Sequence, residues 1–570
     1  MKRQSFLKGS AILLGMVLIT KVLGLMYKIP LTHILGGTGM GYFSSAFSVF
    51  TPIMAIVVSG IPSTMARLTA ENYALGRYKN LRKLRKTALL IFGGMGFAAT
   101  VAMTFLAGPV ADAVINEQNA KYALMCVAPS VLFCAVMSVE RGYFEGLQNM
   151  LPTAVSEIVE TVFKLVFGLG FALMISHYAQ NQFNLTGMCF GVICSDDKEA
   201  GLAALPYIAG GAILGSSLAS GIACIYIFIS GKIHGDGITK AMLEHDKVVD
   251  KTSYMIKLLY KFSFPIAFIS VITTLTNMID MLTINPCLDS AIRQKSDLFA
   301  DLIHGSLTLE MLPNFIYGSY TGLAVTIFGL VPTLTAMFGK SILPSLTEAW
   351  TKNNRCEAAK NLNRMMIISS IIAIPSGIGI TVLSKEILEF LFGGRTFEIS
   401  VSSEPLRILG LGVIFMSISL PCFTILQTLG KPHKAALIMI FSGIIKLVLN
   451  ITLIRIPEIG INGAAIATTA ANLFICIMSI ISIYKLMGAR CCVGEVYIKP
   501  LCAGILCGAT AFLCNDILKK QAFFCISGRF SLVISIAFSG VIYLFSLYLL
   551  CEMPKNVLNL LFSKKNLKNP

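Results

Sequence analysis

A chain of 570 residues that is 55% hydrophobic and only 13% charged is built for a bilayer, since soluble chains carry about a quarter charged residues. The formal net charge of +17 raises nucleic acid as a partner, but a single Trp and the lack of an aromatic-rich basic domain argue against base reading. The basic residues fall instead in segments flanking apolar runs, as membrane topology requires.

Apolar runs of about 20 residues cross a bilayer as helices, and fourteen are expected here. In chain order they cover 9–31, 42–65, 87–110, 122–146, 153–177 and 207–231, then 260–284, 318–347, 364–384, 405–427, 434–454, 462–485, 498–518 and 531–551. The opening segment MKRQSFLKGSAILLGMVLI has the charged and apolar regions of a signal peptide. No small-residue cleavage site follows and the apolar run continues past Lys21, so it is read as a retained first span. Glycines 36–41 (GGTGMG) are similar to a phosphate-binding loop but follow a membrane span with the wrong spacing, so a tight turn is expected. The segment Arg77–Lys86, RYKNLRKLRK, is expected as a stop-transfer loop in contact with lipid headgroups. With the N-terminus in the cytoplasm, most Lys and Arg lie on cytoplasmic segments and the C-terminus returns to the same side.

The stretch 142–172 reads as one span ending, a Pro-broken turn, and the next beginning. The second of these spans carries Glu157, Glu160 and Lys164 on one helix face, spaced three, four and seven apart. Glu160 and Lys164 form a favourable neutralising pair in this reading. Two acids against one base leave one Glu in excess, and a carboxyl without a counter-charge in a bilayer holds a proton. Glu157 and Glu160 are therefore candidates for proton coupling. Glu140, Arg141 and Glu145 just before the turn are expected to form an intracellular charge cluster that holds one conformation closed.

This stretch has an echo. Phe144, Leu147 and Gln148 recur as Phe423, Leu426 and Gln427 at a constant offset of 279, Pro152 matches Pro432, and Lys164-Leu-Val falls opposite Lys446-Leu-Val. Gln148 and Gln427 end their spans at the cytoplasmic side and are assigned a gate or turn role. The repeat predicts an all-α integral membrane protein of two pseudo-symmetric six-helix lobes, 1–231 and 258–487. A charged cytoplasmic linker, 232–257, joins them, and 488–570 holds an appended helix pair with a basic tail. Small residues in spans 6 and 12 (Gly210, Gly211, Gly215; Gly463, Ala464) are assigned to close helix packing.

Ionisable groups within spans are costly and normally face a bundle interior or a wet cavity. Lys21 sits thirteen residues past Lys8, roughly 20 Å along a helix and too deep for easy snorkelling. Lys28 lies near the outer interface, where snorkelling is its other reading. Lys164 and Lys446 hold matching places in the two lobes and either line a shared central cavity or pair within their own lobe. Asp280 is either the partner of a Lys or a ligand for a coupling ion.

Enzyme readings fare poorly. The six His are scattered, none stands at a spacing suggesting a nucleophile or metal, and the longest outer loop, 285–317, presents no acid pair. The sixteen Cys form no paired CxxC units. Cys189 and Cys194 share one predicted outer loop, where a disulfide and two free thiols stand as equal alternatives.

The segments TKVLGLMYKIPL (20–31), YGSYTGLAVTIFGLVPTLTAMFGKSILPSLTEAW (317–350) and LQTLGKPHKAAL (426–437), with the fourteen spans in two lobes, carry a resemblance. The chain resembles the polysaccharide-transporter branch of the superfamily that also holds multidrug and toxin extrusion (MATE/MOP) proteins. Within it the likeness is to the stage V sporulation protein B and MurJ-type lipid II flippase groups. The resemblance implies a flippase that moves an undecaprenyl-linked saccharide from the inner to the outer leaflet by alternating access, for cell-wall, spore-cortex or polysaccharide synthesis. Lys21, Lys28, Lys164 and Lys446 would meet its phosphates. Functional arginines of the MurJ type fall on Lys21 and Tyr27, the latter beside Lys28, and further cavity arginines fall near the uncharged Met54 and Ile327. Some relatives bind sodium where Asp280, Asn450 and Thr468 stand here, with Lys446 close enough for its ammonium to take the ion's place. No cofactor is implied beyond proton or sodium coupling, and partners are membrane lipids and cell-wall enzymes. The alternatives are a cation-coupled drug exporter, which wants net acid in its cavity where Lys outnumber acids here, and a non-transporting scaffold for cell-wall enzymes.

Overall fold

The computed structural model describes residues 6–115, 117–239, 242–243, 249–302, 307–336, 346, 349–350, 354–428, 431–488, 493–520 and 528–550. Thirteen helical stretches among them are long and apolar enough to cross a membrane. The first contains α1, Phe6–Val57, which bends at Gly36 (φ 59°, ψ −168°) into two segments. That left-handed backbone is open to glycine at little cost, so the expected turn is a kink within one long element. Then follow α2 (Ile61–Ala74), α3 (Tyr78–Val110), α4 (Ala120–Gly146), α5 (Leu151–Thr186), a hairpin of β1 (Met188–Cys189) and β2 (Val192–Ile193), and α6 (Asp197–His234). Beyond the linker come α7 (Thr252–Gln294), α8 (Leu312–Ser319) and α9 (Val325–Phe328). They are followed by α10 (Arg355–Val382), α11 (Ser384–Phe392), α12 (Thr396–Thr428), α13 (Pro432–Leu453) and α14 (Asn462–Met487). The last two are α15 (Lys499–Lys520) and α16 (Gly528–Leu550).

The helices gather into two compact units: Met1–Gly322 with Asn450–Gly460, and Leu323–Leu449 with Ile461–Pro570. In the first, backbones approach where side chains are missing. A Cβ at Gly215 of α6 would lie 2.4 Å from the backbone nitrogen of Gly168 on α5. The second half of α1 crosses α8 equally closely: a Cβ on Gly318 would stand 1.9 Å from the Gly37 carbonyl oxygen, and one on Gly41 would stand 2.1 Å from Asn314 Oδ1. Asn314 donates to the Thr38 carbonyl (3.1 Å) and Thr321 to the Ser44 hydroxyl (2.9 Å), fixing the register of the crossing. In the second unit, α15 seats on α10, where Gly504 and Gly508 make room for Ile374 and Ile378. Tyr543 of α16 donates to the Ile371 carbonyl at 2.9 Å. The last pair therefore has a made seat on its unit. The basic tail beyond 550 lies outside the described residues.

The segment Arg77–Lys86 is not the expected loop. It is the first turns of α3, and it grips the linker. Asn80 donates to Asp250 (2.6 Å) and accepts from the Asp250 backbone N–H (2.7 Å), and Lys83 donates to the Asp250 carbonyl (2.8 Å). Arg82 lies 3.5 Å from Asp236, which also accepts from the Tyr143 hydroxyl (3.0 Å). These charges strap the linker to the end of the bundle, a use of basic residues that composition cannot separate from headgroup contact.

Gly318→Val tests the α1–α8 crossing. Overpacking of this kind costs about 1–3 kcal/mol, so the variant unfolds at lower temperature in detergent. Gly24→Ala, where a Cβ meets nothing within 4 Å, unfolds at or above the wild-type temperature.

Candidate substrate-binding site

The first unit holds a cluster of cations and rings built from α1 and α5. Lys28 Nζ stands over the Phe43 ring at 5.0 Å. Lys164 Nζ stands over Phe47 at 5.3 Å and Tyr27 at 5.2 Å. Phe43 and Phe47 pack together with centroids 4.8 Å apart. Two ammonium groups thus flank one ring pair. Among the described residues neither has a carboxylate within ion-pair distance. Aromatic faces attract cations, by about 2 kcal/mol when desolvated, but supply no counter-charge. Tyr27 is 4% exposed and fills the space left by Gly168, with its hydroxyl 3.4 Å from the Ala212 carbonyl. Lys28, rather than its neighbour Tyr27, therefore brings charge to the cluster. Lys21 is two turns away on the same face of α1 and half-buried.

One turn before Lys164, the charge arrangement differs from the expected one. Arg141 reaches across the α4–α5 hairpin to Glu160 (3.0 Å) and Glu157 (3.8 Å), and donates to Ser156 Oγ (2.9 Å). Glu160 also accepts from the Ser220 hydroxyl at 2.8 Å. Arg141 takes both acids at ion-pair distance, so Glu160 pairs across the hairpin and not with Lys164 as expected. The cluster expected of Glu140, Arg141 and Glu145 is likewise corrected. Consecutive residues point about 100° apart on a helix, and Glu140 faces α3 while Arg141 faces α5. Glu140 is fully buried and accepts two bonds from Arg85 (2.8 and 2.6 Å). The Arg85 guanidinium lies over the Tyr143 ring at 4.7 Å. Glu145 sits in the last turn of α4, half-buried.

Gln148 takes a left-handed conformation (φ 59°) and is exposed. Its N–H bonds to the Glu145 carbonyl and that of Asn149 to the Phe144 carbonyl, both at 3.0 Å. These bonds close α4 with a helix-ending motif, the turn half of the gate-or-turn expectation. Gln427 lies in the last turn of α12, and its side chain is outside the described residues.

Asp280 and Asn450 do come together. Asn450 is fully buried and donates to Asp280 Oδ1 (3.0 Å) and Thr283 Oγ1 (2.9 Å), while its own Oδ1 finds no partner among the described residues. Thr283 went unnoticed in the sequence, although it follows Asp280 by three residues and so shares its helix face. An orphaned amide oxygen beside a carboxylate and a hydroxyl fits a small cation. Lys446 is buried one turn before Asn450 on α13, and the Thr468 hydroxyl is buried without a described partner. Cys189 and Cys194 are buried free thiols, and burial, then the neighbouring Cys194, pushes the Cys189 thiol up.

A model of the polysaccharide biosynthesis protein family matches residues 6–193, and the MatE model matches 319–452. The chain is thus similar to polysaccharide biosynthesis proteins over its first third and to MatE proteins over a later quarter. It is similar to lipid II flippase MurJ of Bacillus subtilis, 24% identical over 81% of this chain and 79% of that protein. It is also similar to stage V sporulation protein B of the same organism, 22% identical over 95% of each. A solved structure of lipid II flippase MurJ in an inward closed conformation shares the fold, with a TM-score of 0.65 at 14% identity over 94% of this chain and 98% of that one. The family match covers the α1–α5 cluster, so the site and the likeness fall on the same part of the chain.

Removing one partner of a buried ion pair costs about 3–5 kcal/mol, whereas removing both costs far less. Arg141→Leu is therefore strongly destabilised, and Arg141→Leu with Glu160→Leu recovers more than half of the loss. Thermal unfolding in detergent measures this; equal midpoints for the single and double variants would deny the pairing.

Proposed function

We propose that this protein is a flippase that carries an undecaprenyl-linked glycan precursor across the cytoplasmic membrane, making and breaking no covalent bond. One observation carries the reading. Lys28 and Lys164 are two ammonium groups with no carboxylate at ion-pair distance among the described residues, facing one aromatic pair. Two fixed cations in a poorly hydrated setting call for a dianion, and a pyrophosphate supplies one. A Lys ammonium suits phosphate as a point charge without bidentate geometry. Ring faces beside the cations suit the apolar faces of a sugar. Lys21 extends the basic track along α1, and Lys446 is assigned a matching role on α13. The similarity to flippases points the same way.

Both termini are assigned to the cytoplasm, which places the strapped linker there too and gives cytoplasmic segments the excess of Lys and Arg. Alternating access exposes the cation site to one face and then the other. Asp280, Thr283 and Asn450 are assigned to coupling, with the Lys446 ammonium standing where a sodium ion would otherwise be needed. Cell-wall or polysaccharide-synthesising enzymes would supply the lipid on one face and consume it on the other.

A leaflet-accessibility assay with undecaprenyl-linked precursor in proteoliposomes tests this. Lys28→Ala with Lys164→Ala is expected to lower the initial rate at least tenfold, equivalent to about 1.4 kcal/mol, while Arg at both positions keeps most of it. Wild-type rates for the double Ala variant would refute the assignment. The same traces in sodium and potassium buffers should coincide; a sodium requirement that Asn450→Ala abolishes would return the coupling role to the ion.

A further inference from the structure

A cavity lies beneath the β1–β2 hairpin, far along α6 from the linker. Its volume is about 520 Å³ and its walls are apolar. The hairpin turns on Phe190 (φ 47°) and Gly191 (φ 86°), both left-handed. Two-residue turns of this kind favour Asn-Gly, because an aromatic residue is strained there. The Phe190 ring shows what the strain achieves. It stacks on Tyr207 with centroids 4.1 Å apart and lies 6.0 Å from Tyr178. Tyr207 packs on Tyr122 at 4.5 Å and donates to its hydroxyl at 3.2 Å. Four rings thus line the cavity, and two of their hydroxyls, those of Tyr207 and Tyr122, are hydrogen-bonded to each other.

The floor is kept open. A Cβ at Gly210 would meet Tyr122 Cβ at 3.5 Å, an ordinary contact, so packing does not demand glycine there. The expectation that Gly210 serves helix packing alone is therefore too narrow. Two of the lining residues are exposed, Met174 at 67% and Tyr178 at 59%, both within the stretch Leu151–Thr186 that is long and apolar enough to cross a membrane. The cavity therefore shares its exposed lining with a helix long and apolar enough to cross a membrane. The exposed lining is almost wholly apolar, so a water here would find few of the two to four polar partners it needs. The ligand that fits is a hydrocarbon chain entering from the bilayer.

We propose that this cavity is a docking site for the polyprenyl chain of the carried lipid. The proposal rests on the lipid-linked reading of the cation site, which shares α5 with this cavity. Branched isoprene units present methyl groups and double bonds to ring faces and to the polarisable thioethers of Met125 and Met174. A straight saturated acyl chain offers less to such walls. A chain held here would stay in lipid while its headgroup follows the cations.

The test uses the full chain in nanodiscs with a diazirine-bearing polyprenyl phosphate, and reads the crosslinked peptides by mass spectrometry. Labelling is expected on 122–126, 174–178 and 207–214, with competition by unlabelled polyprenyl phosphate but not by added disc phospholipid. Gly210→Leu fills the cavity, and Phe190→Asn removes the ring while giving the turn its preferred residue, so neither should impair folding. Each is expected to lower labelling at least fivefold with an unchanged unfolding temperature. Equal labelling by a diazirine phosphatidyl probe, displaced by disc lipid, would mark an ordinary annular lipid and overturn the proposal, as would labelling that neither variant changes. Site labelling without flipping would fault the transport reading and leave this site standing. Flipping with no labelling here would fault the site alone.

Discussion

An ion taken out of water inside a bilayer must meet an opposite charge, a polar neighbour or a wet surface. This constraint organises the first unit. Arg85 and Glu140 answer it with a bidentate buried pair, and Arg141 answers it for two acids at once. Among the described residues, no carboxylate stands at ion-pair distance from Lys28 or Lys164, which face rings instead. The fold thus gives its acids arginine partners and sets the two ammonium groups against rings. That pair of positive charges is what a phosphate-bearing lipid would recognise.

The pairing also ties the cation site to the linker. Glu140 and Arg141 are neighbours on α4, and Tyr143 lies one turn further on. Tyr143 holds Asp236 of the linker and carries the Arg85 guanidinium over its ring. A shift of α4 would move the strap on the linker and the Arg141 contacts to α5 together. Side chains on successive helix positions point to different neighbours, so a few adjacent residues can serve three elements.

Much of this was legible in the sequence. The apolar runs gave the crossings because hydropathy over about 20 residues is a strong signal. The lysines within spans stood out because they are costly there, and Asp280 and Asn450, singled out together, are hydrogen-bonded to each other. What sequence reading missed was direction. It paired Glu160 with Lys164 because they are four apart on one helix, yet a long Arg across the hairpin outcompetes a local partner. Arg141 was grouped with Glu140 and Glu145 by adjacency in sequence, which on a helix separates side chains rather than joining them. Arg77–Lys86 looked like a loop because charge ends an apolar run, although its residues are good helix formers. Phe190 gave no signal, since only the backbone reveals that an aromatic holds a left-handed position.

The central claim is that Lys28 and Lys164 are reachable from water and meet phosphate. Its most direct test is amine labelling of the purified protein in nanodiscs with a small water-soluble acylating reagent, read by mass spectrometry, with and without inorganic pyrophosphate. The account predicts that both lysines are modified and that pyrophosphate protects them, while exposed lysines such as Lys385 are unaffected by it. Lysines 28 and 164 that stay unmodified, or are modified equally with and without pyrophosphate, would contradict it.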